Sequence, residues 1–128
     1  MKTLLSLLLS LALNASYVKW QGDYEVAHRE ALKQNKSLLV LLVDKEIDLT
    51  KKLLVRSFMN QAYVKEINRK YISVLVTKGQ KGSYPIELLY TLEYPALFFL
   101  DKHELYSCSK ISGDLSSEIL SLKLKECY

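Results

Sequence analysis

A chain of 128 residues can close one hydrophobic core but not two. Hydrophobic residues make up 49% and charged residues 25%, a globular balance that excludes a disordered tail or a low-complexity linker. The 18 Lys and Arg against 14 Asp and Glu give a net charge of +4, but the basic residues are spread along the chain, which argues against nucleic acid as a partner.

The first 15 residues read as a cleavable signal peptide: Lys2 supplies the positive end, residues 4–13 a short apolar stretch, and Ala15 a small residue at the cut. The apolar run is too short to span a bilayer, and no Cys follows to accept a lipid. The expected mature chain is therefore residues 16–128, one soluble domain, periplasmic or secreted, with no membrane span after cleavage. An uncleaved interfacial or buried helix is the alternative. Cys108 and Cys127 are the only cysteines, and no Cys/His cluster has zinc-ligand spacing, so neither a metal nor another cofactor is expected.

In chain order, residues 20–23 (WQGD) read as an opening turn, with Asp23 capping a helix over 24–34 whose Tyr24, Ala27 and Ala31 share one face. Residues 37–43 form an unbroken aliphatic run, as in a strand buried on both faces. Helical spacing follows over 49–59. Asn60 then caps a second run in which Ala62, Val64, Ile67 and Tyr71 form a stripe. Residues 72–76 predict a second strand, and the Gly- and Pro-containing stretch 77–85 a turn. Pro85 starts a short helix to Leu89, 96–100 predicts a third strand, 101–104 a hairpin turn and 105–111 a fourth strand. Gly113 and Asp114 end that strand and cap a last helix with Leu115, Ile119, Leu122 and Glu126 on one face. His28 and His103, with no nucleophile or carboxylate pair nearby in sequence, are expected at the solvated surface.

Parallel crossovers followed by a closing hairpin resemble the thioredoxin fold. The resemblance becomes specific in Trp20, Asp23, Ala27, Ala31, Asn35 and Lys36 followed by an aliphatic strand, in KKLLVRSFMNQAYVKEINRKYISVLV, and in YPALFFLD, where Pro95 stands in the cis-proline position after Tyr94. The set, from Trp20 to Glu126, looks like the exported thioredoxin-like proteins. It implies an α/β three-layer sandwich with a central four-stranded mixed sheet flanked by helices. The redox-active relatives carry Cys-x-x-Cys just before the Lys-Lys-Leu found here as Lys51, Lys52 and Leu53, so the resemblance puts Ile47 and Thr50 at the sulfur positions. Dithiol exchange needs a thiolate at a helix N-terminus and a resolving thiol, and neither residue supplies one.

What the resemblance leaves is a surface. The residue before the cis-proline offers its backbone to an extended peptide, so Tyr94 and Pro95, with Ile47 and Thr50 beside them, form a candidate peptide groove. The alternative is that Pro95 only fixes a turn. Cys108 and Cys127 leave three states open: a packed Cys108 with a mobile Cys127 thiol, an internal disulfide, or an intermolecular bond. A last helix of about 13 residues reaches roughly 20 Å, whereas Cys108 lies about 10 Å back along its strand, so Cys127 is expected to overshoot it. Function divides accordingly between a non-catalytic module binding an exported protein or peptide, a thiol-disulfide protein acting through Cys108 or Cys127, and an accessory domain of a larger complex.

Overall fold

In a computed structural model, residues 17–44, 61–80, 82–113 and 115–127 are described, excluding the side chains of Gln61, Ala62 and Ser117. The expected signal peptide, the expected helix over 49–59, Asn60, and the site positions Ile47 and Thr50 lie outside the described residues.

Among the described residues eight elements follow in order: β1 (Trp20–Gln21), α1 (Tyr24–Gln34), β2 (Ser37–Val43), α2 (Gln61–Lys70), β3 (Tyr71–Thr77), β4 (Ala96–Leu100), β5 (Tyr106–Ser112) and α3 (Ser117–Glu126). The Asp23 side chain accepts the Val26 N–H at 3.1 Å and so satisfies a free donor of the first turn of α1. That helix ends at Asn35, whose φ of 55° is left-handed, a conformation Asn tolerates. One long sheet takes the order β1-β3-β2-β4-β5; β2 is parallel to β3 and antiparallel to β4. The sheet has five strands because Trp20 and Gln21, expected in a turn, pair with Ser73 and Val74 of β3.

The unbroken apolar runs are explained by helices on both faces. Leu38, Val40, Leu42, Val74, Val76 and Phe98 pack with Tyr24, Ala27 and Ala31 on the α1 side. Leu39, Leu41, Val43, Leu97 and Phe99 pack with Val64 and Ile67 of α2 and with Leu120 and Leu124 of α3 on the other. A strand covered on both faces has no reason to alternate. Burying each such side chain contributes about 1.5–3 kcal/mol, which makes β2, flanked on both edges and both faces, the centre of the core.

Three further expected details differ, the first being Tyr71, which opens β3 instead of continuing the stripe of α2. Residues 86–89 form a turn instead of a helix, closed by the Leu89 N–H donating to the Pro85 carbonyl at 3.0 Å. In α3 the N-cap is Ser116 rather than Asp114, and the buried stripe is Leu120, Leu124 and Cys127; Leu122 is 63% exposed and Ile119 half-buried.

Candidate functional site

The carboxyl ends of the parallel strands β2 and β3 coincide: Val43 lies opposite Thr77, and the Lys78 N–H donates to the Val43 carbonyl at 2.8 Å. Strand β4 runs the other way, so its first residue, Ala96, faces Leu42 at this same end. The segment that feeds β4 therefore crosses the position where open α/β sheets place their ligands. That segment is Tyr94–Pro95, joined by a cis peptide bond.

Three contacts hold the segment. The Thr91 hydroxyl is buried, donates to the Glu93 carbonyl at 2.8 Å and accepts the Glu93 N–H at 3.2 Å, a side-chain turn typical of Ser and Thr. The Gly113 N–H donates to the Pro95 carbonyl at 2.9 Å. Gly113 has φ +80°, so the residue after β5 is glycine for its backbone; a Cβ there would meet only the end of the exposed Glu93 side chain, which can swing aside. Pro95 is buried, whereas the Tyr94 ring is half-buried, packed on one side against the α1-side core. The Lys78 ammonium stands 5.2 Å from the centre of that ring, a cation–π contact. Of the four expected groove residues, Tyr94 and Pro95 come together here; Ile47 and Thr50 lie outside the described residues.

The cysteines are joined to each other by a disulfide with Cα atoms 5.3 Å apart. This corrects the expected overshoot. Helix α3 has 10 residues, about 15 Å at 1.5 Å per residue, because it starts at Ser117 and not after Asp114. The return path along β5 from Gly113 to Cys108 is of similar length at about 3.3 Å per residue. Cys127 is 3% exposed and is the C-cap of α3, its N–H donating to Lys123 and its carbonyl accepting the Tyr71 hydroxyl at 3.3 Å. The mobile C-terminal thiol is thus replaced by a crosslink between a buried Cys127 and a half-buried Cys108. Cys108 faces Phe99, toward the end of β4 away from Tyr94.

A cluster missed by sequence reasoning joins α1 to the β4–β5 turn. Tyr24 and His28 stand one turn apart on α1. The Tyr24 hydroxyl donates to Glu104 Oε2 at 2.7 Å, His28 Nδ1 lies 3.6 Å from Glu104 Oε1, and His28 Nε2 is 2.9 Å from the Lys102 carbonyl. His28 is therefore a bonded, part-buried residue and not solvated surface; His103 is exposed as expected. Burial first, then the Glu104 hydrogen bond, raise the Tyr24 phenol well above its ordinary value. Glu104 has φ 65°, in the left-handed region, at the turn position that favours glycine. The Tyr24/His28 spacing was visible in sequence, but their partner lies 80 residues away. A cleft of about 390 Å³ opens here between α1 and residues 83–85. Within it Tyr24, His28 and Glu104 answer one another and clamp the helix to the turn, while Glu25, Arg29 and Ser83 also line the cleft. Among the described residues no group of three or more His, Cys, Asp or Glu is placed to hold a metal ion, and no helix is long and apolar enough to cross a membrane.

No protein-family model matches this chain, and no curated protein matches it. A solved structure titled DsbH oxidoreductase superposes with a TM-score of 0.59 at 14% identity, covering 84% of this chain and 85% of its own. The fold is thioredoxin-like. Identity this low carries the fold and no residue roles.

Proposed function

We propose that this chain is an exported, non-catalytic thioredoxin-fold module that docks an extended segment of another exported protein against the Tyr94–Pro95 end of its sheet. The observation that carries this reading is the Tyr94 ring, held half-exposed at the carboxyl ends of β2 and β3 by a segment tied on both sides. An aromatic face fixed in that crevice offers apolar contact with few rotamers to freeze, and Lys78 adds a cation beside it. Residues 1–15 are the proposed signal peptide, and the disulfide fits the oxidising compartment to which export leads. Ile47 and Thr50 complete the proposed groove.

Disulfide exchange through Cys108 and Cys127 is the alternative, and the DsbH likeness brings it to mind. The crosslink disfavours it. Exchange requires an accessible sulfur and a stabilised thiolate, whereas Cys127 is 3% exposed and ends a helix, where the dipole is negative, and the half-buried Cys108 lies in a strand and not at a helix N-terminus.

The test is binding of a permanently unfolded polypeptide, carboxymethylated insulin B chain, followed by fluorescence anisotropy. Tyr94→Ala is expected to weaken binding at least tenfold, about 1.4 kcal/mol, while the Cys108→Ser, Cys127→Ser double variant keeps it. Equal binding by Tyr94→Ala overturns the proposal. Insulin reduction by the wild-type chain that vanishes in the double variant establishes the thiol reading in its place.

A further inference from the structure

The end of the sheet at Tyr94 carries a fixed charge as well as a ring. Lys78 is exposed and directly follows β3. Its backbone is pinned: its own N–H donates to the Val43 carbonyl at 2.8 Å, the Gln80 side chain accepts the Thr77 N–H at 2.9 Å, and the Gln80 N–H donates back to the Thr77 carbonyl at 3.0 Å. Gly79, at φ +77°, takes the left-handed position of that turn, and its N–H reaches the Tyr84 hydroxyl at 3.4 Å. A lysine on so fixed a backbone delivers its ammonium to a narrow region, here 5.2 Å from the centre of the Tyr94 ring. Among the described residues no carboxylate lies within ion-pair distance of that ammonium. Neighbouring carboxylates are turned elsewhere: Glu93 leans toward the end of β5, its Oε2 standing against Gly113, and Asp44, the residue after β2, has a partner of its own.

We propose that Lys78 makes the Tyr94 site selective for extended segments that carry an acidic side chain two residues from an aliphatic one. The inference rests on the peptide-docking reading above and names the chemistry of its partner. In an extended chain residues i and i+2 point to the same face about 6.6 Å apart, while i+1 points away. That spacing is close to the 5.2 Å from ring centre to ammonium, so one segment sets its aliphatic side chain on the ring and its carboxylate on the cation. The attraction of the ring for the ammonium already holds the lysine in place, which removes part of the side-chain entropy that an exposed lysine otherwise loses on pairing. A neutral segment gains the ring alone, and a basic one meets the ammonium as a like charge, so the same cation both attracts and rejects.

Three fluorescent peptides are titrated by anisotropy with the wild-type chain and with Lys78→Gln: Ser-Thr-Leu-Thr-Glu-Thr-Ser, the same sequence with Gln in place of Glu, and Ser-Thr-Leu-Glu-Thr-Thr-Ser, which has the same charge at the wrong spacing. The wild type is expected to bind the first about threefold more tightly than either of the others, the scale of one exposed ion pair. That preference is expected to vanish in about 0.5 M salt, where the pair is screened. Lys78→Gln is expected to bind all three alike. Equal binding of the first two peptides by the wild type, a third peptide as tight as the first, or a preference that survives in Lys78→Gln each overturns the proposal. Carboxymethylated insulin B chain, titrated alongside with the wild type and Tyr94→Ala, separates this failure from that of the docking reading. Binding of the B chain that still depends on Tyr94 leaves docking in place without the acidic selectivity, whereas binding indifferent to Tyr94→Ala overturns both.

Discussion

Glu104 occupies a left-handed position that glycine takes without cost, and it offsets the strain by giving the buried Tyr24 hydroxyl its acceptor. The two effects separate by substitution. Glu104→Ala removes the acceptor and keeps the strain, whereas Glu104→Gly removes both; urea unfolding is expected to find the alanine variant less stable than the glycine variant by about 1 kcal/mol. Equal stabilities would show that the turn is unstrained. Tyr24 also sets an alkaline limit. Its folded pKa lies above the unfolded value of about 10, so its contribution is complete below that pH and is lost as pH rises beyond it, with a slope of up to about 1.4 kcal/mol per pH unit. Burial raises Tyr106 in the same direction. The urea midpoint of Tyr24→Phe, followed from pH 8 to 11.5, is expected to fall less steeply than that of the wild type. At Gly113, an alanine must adopt φ +80° beside Glu93 and is expected to destabilise by at least about 1 kcal/mol and to weaken peptide binding with it, since this residue ties down Pro95.

Among the elements, those whose signal is local were legible in the sequence. Strands β2, β3 and β4 show themselves as aliphatic runs because both faces are covered, and α1 shows itself through the Asp23 cap and the Ala27/Ala31 face. Helix α3 is ambiguous by composition. Ile119 and Leu122 form one apolar stripe, Leu120 and Leu124 another, and periodicity cannot choose between them. The choice falls to the stripe that leads to Cys127, whose bond to Cys108 fixes the rotation of the helix. The site divides the same way. Tyr94 and Pro95 are readable from YPALFFLD, whereas the Thr91 turn, the Gly113 tie and the Glu104 clamp depend on tertiary placement. Removing the crosslink by Cys108→Ser with Cys127→Ser is expected to lower stability by about 3 kcal/mol, the loop-entropy value for residues 19 apart. Loss of amide protection is expected to concentrate in α3 and spare β2. Protection lost evenly across the chain would mean that the crosslink holds the whole fold and not the helix.

At the scale of the molecule, the two ends of the sheet carry different tasks. The end at Tyr94 is open and aromatic, while the Tyr24–Glu104 clamp joins α1 to the opposite turn and the disulfide anchors the last helix. Central strand β2 finds its strand partners far along the chain: Val40 pairs with Val74 on one side and Phe98 on the other, so both of its pairings are long in sequence. A chain cut before Ala96 leaves one edge of β2 bare and is expected to be digested by protease at the rate of an unfolded polypeptide. During synthesis the same holds for each nascent chain. Six consecutive buried residues of β2 emerge early, and the edge that pairs with β4 stays bare until the last third of the sequence follows, so an apolar strand edge is exposed to other chains through most of synthesis.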